Sequence, residues 1–284
     1  MLNFLSKALA LLPLRCVHAI GTIVGKISFL ASPNSTNRLK ENLLQSGIPK
    51  NNAELERIAK ANIDETGKSI LETLAIWQLS EKKAVSLVKT CYGWQHVEQA
   101  LAQGKGIIFL TPHLGCYEIT SVYYASKHPI TVLFRPSRQS WLNPLILKGR
   151  TKGQVKLAPA NAGGVKLLMQ ALKKGEAIGI LPDQTPIKGK GEWAPFFGKT
   201  AYTMGLASKL AEKTGAQVIM AFGKRLAKGQ GYEIHFTPLK SGAIATPSLL
   251  NQALEQQVAR CPEQYLWSYS RYKTTNQDRP THEI

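Results

Sequence analysis

Gly106-Ile107-Ile108-Phe109-Leu110-Thr111-Pro112-His113-Leu114-Gly115-Cys116-Tyr117-Glu118 is the stretch on which the reading of this chain turns. The apolar run from Gly106 to Leu110 has the length and composition of a buried strand. His113 and Glu118 lie five residues apart, and on a regular helix that spacing points side chains about 140° away from each other. They meet only if His113 ends the strand, Gly115 turns the chain, and Glu118 falls in the first turn of the following helix. A carboxylate there also suits the positive end of the helix dipole. A histidine held by a carboxylate takes a proton from a hydroxyl group, so the arrangement points to chemistry on an alcohol. The plain alternative is a hydrogen-bonded histidine at a strand end and a glutamate that serves only the dipole.

Working outward, strands and helices alternate. Strand candidates are Ile107–Leu110, Ile130–Phe134, Val155–Leu157, Ala177–Leu181, Val218–Phe222 and Tyr232–Phe236. Helical spacing occupies Tyr117–Ser126, Asn143–Lys152, Gly164–Lys174, Met204–Lys213 and Leu249–Arg260. This predicts an α/β fold with a mainly parallel central sheet flanked by helices. Upstream, 52–78 reads as one helix, followed by short helices around Glu81–Lys89 and Val97–Ala102. Ligands of such sheets gather at the carboxyl ends of the strands. His113 follows the first strand of the alternation, Arg135 the second, and Asp183-Gln184 another, so these features are expected on one rim.

The chain has 284 residues, enough for one full core, and 36 Lys+Arg against 18 Asp+Glu. The formal charge of +18 favours an anionic partner. From Lys127 to Lys209 there are fourteen Lys or Arg, and the only acids are Glu176, Asp183 and Glu192. No RNA-binding or helix-turn-helix signature accompanies the basic residues, which argues against nucleic acid. Four scattered cysteines indicate free thiols rather than a disulfide framework. Cys116, beside His113, is a conceivable nucleophile, although its position aims it into helix–sheet packing. A metal site lacks support: there is no H-E-x-x-H and no paired C-x-x-C.

The stretch from Leu2 to Leu30 is largely apolar and free of acids, but Lys7, Pro13, Arg15, His18 and Lys26 interrupt it. It lacks the layout of a cleaved signal peptide. The expectation is a retained helical hairpin or amphipathic anchor with snorkelling Lys and Arg, or else a single tilted span. The expected organisation is an N-terminal membrane anchor over 1–31, a catalytic domain over 32–273 and a polar tail over 274–284.

The ordered set His113-x4-Glu118, Arg38-Leu39-Lys40-Glu41-Asn42-Leu43, Leu181-Pro182-Asp183-Gln184, Phe196-Phe197-Gly198 and Glu263-Gln264-Tyr265-Leu266-Trp267 resembles the bacterial lipid A biosynthesis acyltransferases, a branch of the lysophospholipid acyltransferase superfamily. The likeness runs from the apolar start to about Lys273. Where many relatives read H-L-G-N-W-E, this chain carries Cys116-Tyr117. The resemblance implies acyl transfer from an acyl carrier protein thioester to a lipid hydroxyl, on the cytoplasmic face of the inner membrane, without metal or redox cofactor. In that mechanism His113 is the general base and Glu118 orients its ring. Arg135, Arg150 or backbone N–H groups near Gly115 are candidates to stabilise the oxyanion. Asp183 and Gln184 would bind the acceptor's polar head or orient basic residues, with a strand-end turn as the alternative. Trp193, Phe196 and Phe197 offer apolar surface for an acyl chain, with core packing as the alternative for each. An anionic glycolipid acceptor and an acidic carrier protein both suit the basic surplus. The competing functions are transfer to another glycolipid or lysophospholipid, and a non-catalytic basic protein that binds membrane surfaces.

Overall fold

Ile107, Ile108, Phe109 and Leu110 are all buried, and they alternate between two apolar layers. Ile107 and Phe109 pack with Val97, Ile119 and Val122 on one face of the sheet. Ile108 and Leu110 pack with Leu39, Ile58 and Leu168 on the other. A strand covered on both faces has to be apolar at every position, which is why this one reads as an unbroken run.

The computed structural model describes residues 2–137 and 139–273; the polar tail expected from residue 274 onward lies outside the described residues. The chain begins with α1 (Leu2–Leu11), α2 (Leu14–Leu30), α3 (Pro33–Gln45), the long α4 (Asn52–Gln78) and α5 (Glu81–Ser86). Next come β1 (Val88–Tyr92), α6 (Trp94–Ala102), β2 (Ile107–Leu110), α7 (Tyr117–Ala125), β3 (Ile130–Phe134) and α8 (Asn143–Arg150). These are followed by β4 (Val155–Pro159), α9 (Ala162–Lys173), β5 (Ala177–Ile180), β6 (Gly191–Phe196) and β7 (Lys199–Met204). The last elements are α10 (Leu206–Thr214), β8 (Gln217–Arg225), β9 (Tyr232–Pro238) and α11 (Pro247–Ala259).

Seven strands form one sheet in the order β1-β9-β8-β2-β5-β3-β4. Every pairing is parallel except β8 with β9. The mainly parallel sheet expected from the alternation is present, and β2 lies at its centre between β5 and β8. The helix expected around Glu81–Lys89 stops at Ser86, and Val88–Tyr92 joins the sheet as an edge strand instead. The hairpin of β6 and β7 stands apart from the main sheet.

α1 and α2 are packed on α4. At the crossing of α2 and α4 backbone meets backbone. A Cβ on Gly67 would lie 2.0 Å from the Gly21 carbonyl oxygen, and one on Gly25 would lie 2.4 Å from the Ile63 carbonyl oxygen. Gly21 and Gly25 form the small-xxx-small spacing that lets two helices approach this closely. No single helix among the described residues is long and apolar enough to cross a membrane; α2 and α3 qualify only together, as a pair bent by 100°. The outer side of α2 exposes Ile20, Ile23, Ile27 and Leu30.

A buried ionic cluster ties these helices to the sheet. Glu72 of α4 accepts from Arg225 Nε at 2.9 Å, from Tyr232 Oη at 2.9 Å, and pairs with His18 Nε2 of α2 at 2.8 Å. Burial alone would push the Glu72 carboxyl up, but the Arg225 charge and the hydrogen bonds from Arg225 and His18 outweigh it and hold its pKa at about 2 against an ordinary 4.5. The folded value lies below the unfolded one. The ionised group therefore stabilises the fold fully above about pH 4.5, and this stabilisation is lost as pH falls toward 2. A depression of this size corresponds to about 3 kcal/mol. Urea midpoints measured between pH 6 and pH 2.5 should fall on the acid side, and the fall should be shallower in Glu72→Gln, which starts from lower stability. Equal slopes in the two proteins would remove Glu72 as a source of the acid sensitivity.

Candidate active site

β2 and β5 are neighbours and run parallel, so the segments leaving their carboxyl ends emerge side by side. His113 leaves one and Asp183-Gln184 the other. Asp183 Oδ1 lies 2.9 Å from His113 Nδ1, and Asp183 Oδ2 accepts the His113 backbone N–H at 2.9 Å. One carboxylate thus grips both the ring and the main chain of the same residue. Asp183 is buried; burial pushes its carboxyl up, yet the His113 charge and hydrogen bonds outweigh that and hold it below the ordinary carboxylate range. The ionised Asp183 fixes the proton of the neutral ring on Nδ1. The lone pair then sits on Nε2, where Gln184 Nε2 approaches to 3.2 Å. This is the tautomer a general base requires.

Glu118 takes a different place from the one its spacing implied. It does fall in the first turn of α7, as expected. From there its oxygens accept from Arg150 Nε at 2.9 Å and 3.2 Å, and from Arg150 Nη2. Glu118 is therefore the partner of Arg150 on α8, while the carboxylate that holds the His113 ring is Asp183. The physical reason lies in the helix start: Cys116 is the N-cap, and Glu118, the second helical residue, faces Arg150 of α8 rather than the strand end. Tyr117, which precedes it, puts its ring 5.0 Å from that of His113.

The groups expected as oxyanion candidates lie as follows. Arg150 spends its guanidinium on Glu118 and stacks over Trp77 with its Cζ 5.9 Å from the ring centre. Arg135 is exposed beyond β3 and does not line the cavity that His113 faces. The backbone donors around Gly115 are already used: Leu114 N–H bonds Pro112 O, Gly115 N–H bonds Gln264 O, and Cys116 N–H bonds Gly223 O. The side-chain amide of Gln184 stands beside His113 Nε2, at 3.2 Å.

The aromatics expected as acyl surface belong to packing. Phe196 and Lys199 are paired across the hairpin, leaving Phe197-Gly198 as a two-residue turn with φ of +48° and +74°. That is a type I′ geometry, which matches the twist of the two strands. The Phe197 N–H bonds Glu255 Oε1 at 2.6 Å and its ring rests on Phe196 and Trp267, which holds a non-glycine residue in the left-handed region. Phe196 is fully buried in the core, and Trp193 pairs across the hairpin with Tyr202 at 5.2 Å between ring centres.

His113 and Tyr117 line a cavity of about 700 Å³. Its other walls come from α2 and α4 (Phe29, Ile70, Leu74, Trp77) and from the segment entering α8 (Trp141, Leu142, Ile146). Most of this lining is apolar, and Ile70 and Trp141 continue out to the protein surface. A cavity lined this way can accommodate a hydrocarbon chain beside His113. Cys116 faces the opposite way. It is buried, and burial foremost, with the Glu72 carboxylate adding to it, pushes its thiol well above the ordinary value, so it makes no nucleophile.

The family model described as bacterial lipid A biosynthesis acyltransferase matches residues 1–274. The lipid A biosynthesis lauroyltransferase of Escherichia coli is 23% identical over 277 residues, covering 95% of this chain and 89% of the relative. The lipid A biosynthesis palmitoleoyltransferase of the same organism is 25% identical over 271 residues, with 93% and 87% covered. A lipid A biosynthesis acyltransferase of Haemophilus influenzae is 28% identical over 195 residues, with 66% and 60% covered.

Proposed function

Since the chain belongs to the bacterial lipid A biosynthesis acyltransferase family and is an acyltransferase, we propose that it moves a fatty acyl group from an acyl carrier protein thioester to a hydroxyl of a lipid A precursor. His113 is the general base. The observation that carries this reading is the His113 ring, held through Nδ1 by buried Asp183 and set in the wall of a largely apolar cavity.

In this mechanism the acceptor hydroxyl displaces Gln184 from His113 Nε2 and gives up its proton there as its oxygen attacks the thioester carbon. Asp183 stabilises the imidazolium that results. The amide of Gln184, released but still adjacent, donates to the oxyanion. Collapse of the tetrahedral intermediate breaks the carbon–sulfur bond, and the departing thiolate recovers the proton from the imidazolium. The acceptor is itself the nucleophile, so no acyl-enzyme forms. Glu118 acts at one remove, by holding Arg150 and with it the α7–α8 wall beside Tyr117.

We place the enzyme on the cytoplasmic face of the inner membrane. The exposed apolar side of α2, with Phe4 and Leu11 of α1 and the cavity residues Ile70 and Trp141, supports contact with lipid. Lys7, Arg15 and Lys26 flank that surface for anionic headgroups. The surplus of 36 basic over 18 acidic residues suits both an anionic glycolipid and an acidic carrier protein. Steering of the carrier should weaken as salt rises.

The test is transfer of a labelled acyl group from acyl carrier protein to a tetra-acylated lipid A precursor by the full-length enzyme in detergent or vesicles. Transfer that needs the carrier thioester, and slows with added salt, is the expected result. No transfer with several acyl lengths, but activity on a lysophospholipid or another glycolipid, would overturn the acceptor assignment.

A further inference from the structure

We infer that residues 263–269 form a positioning strap for the catalytic base, fixed by the side chains of Gln264 and Asn62. The inference rests on His113 being that base.

The strap runs alongside the His113 loop and pairs with it as a short stretch of sheet. Leu114 and Tyr265 form an antiparallel bridge. Leu266 N–H bonds the His113 carbonyl at 3.1 Å, and Gly115 N–H bonds the Gln264 carbonyl at 3.0 Å. The main chain from the His113 carbonyl to Gly115 is therefore set by the position of 264–266. Asp183 fixes the ring from one direction, and the strap fixes the backbone that carries the ring from another.

Two independent clamps hold the part of the strap that pairs with the His113 loop. The Gln264 side chain bonds both main-chain groups of Arg225 on β8: its Nε2 donates to the Arg225 carbonyl at 2.9 Å, and its Oε1 accepts the Arg225 N–H at 2.9 Å. From the other side Asn62 of α4, itself buried, donates through one amide nitrogen to the carbonyls of Glu263 at 2.9 Å and Tyr265 at 2.6 Å. Asn42 of α3 repeats the device further along, donating to Trp267 O at 2.7 Å and Tyr269 O at 3.1 Å. The stretch around Asn42 and the Glu263–Trp267 stretch, more than 200 residues apart in sequence, are two halves of one support. Gln264, Tyr265 and Leu266 also line the cavity, so the strap is continuous with the site it positions.

A support acting only on global stability would change how much enzyme folds, not how well a folded molecule turns over. A positioning strap changes turnover, because small displacements of a base from its substrate are costly. The experiment uses the full-length enzyme carrying Gln264→Ala and, separately, Asn62→Ala, with His113→Ala as reference. Three quantities are read: kcat and KM for both substrates, the thermal midpoint, and the far-downfield proton resonance of the His113 Nδ1–H···Asp183 bond. Asp183→Asn identifies that resonance by abolishing it. The expected result is a fall in kcat of about 10- to 100-fold, KM values within about twofold, and a weakened or lost resonance in molecules that remain folded. Wild-type kcat and an unchanged resonance in both variants would overturn the strap, even with His113→Ala inactive. Should Gln264→Ala fail to fold, Asn62→Ala decides alone. Full activity in His113→Ala would instead bring down the functional reading itself, a separate outcome.

Discussion

His113→Ala should lower acyl transfer by about 10²–10⁴-fold, and Asp183→Asn should come close to it, whereas Glu118→Gln should act chiefly on stability. The order follows from what each carboxylate touches. Asparagine at 183 keeps the size of the side chain but can turn its NH2 toward His113 Nδ1. The proton then moves to Nε2, and the ring presents a donor where the acceptor hydroxyl needs a base. Loss of the charge also removes the stabilisation of the imidazolium formed during transfer. Glu118, by contrast, is bonded to Arg150. Its loss leaves a largely buried guanidinium without its counter-charge, at a cost of about 3 kcal/mol, or a fall in thermal midpoint of roughly 6–12 °C. The double variant Glu118→Gln/Arg150→Met should recover much of that stability, because the uncompensated charge is gone. The comparison is kcat per folded molecule set beside the thermal midpoint for all four proteins. If Glu118→Gln lost kcat as severely as Asp183→Asn with its midpoint unchanged, the pairing inferred from the His113-x4-Glu118 spacing would be the catalytic one after all.

That contrast marks how far the sequence could be read. The turn from strand to helix between His113 and Glu118 was legible, because five-residue spacing is incompatible with one helix face. The convergence of His113 with Asp183-Gln184 was also legible, because parallel strands bring their carboxyl ends to one rim. Which carboxylate reaches the imidazole was not, since it depends on whether the first turn of α7 faces β5 or α8, a rotation that local spacing does not encode. The β6–β7 hairpin was hidden for a related reason. Its type I′ turn uses Phe197 where asparagine or glycine is the usual signal, and the contacts of Phe197 with Glu255, Phe196 and Trp267 hold that conformation. The buried partners His18 and Glu72 are 54 residues apart, so His18 read simply as a polar interruption in an apolar segment.

The same long-range pairing sets the last expectation. Removal of residues 2–31, or the single change Gly67→Leu, should compromise the fold of the whole enzyme and not merely its attachment to lipid. Deletion takes away Val17 and Phe29, both buried, and strips the wall that α2 contributes to the His113 cavity. It also removes His18 and opens the Glu72–Arg225 pair to solvent, so a buried ionic cluster loses one of its hydrogen-bond partners. Gly67→Leu tests the crossing without shortening the chain. Its Cβ would stand 2.0 Å from the Gly21 carbonyl oxygen and 2.6 Å from the Gly25 nitrogen, both backbone atoms that no rotamer change can move. The helices must part, and overpacking of that kind costs upwards of about 3 kcal/mol, a drop of roughly 6–12 °C or more in the thermal midpoint. Ile23→Ser on the outer side of α2 is the control: it faces away from α4 and should leave the midpoint nearly unchanged while weakening binding to anionic vesicles. A truncated protein that unfolds cooperatively at the wild-type temperature would show that α2 is a detachable anchor, and the backbone contact at Gly67 would then contribute nothing to the stability of the catalytic fold.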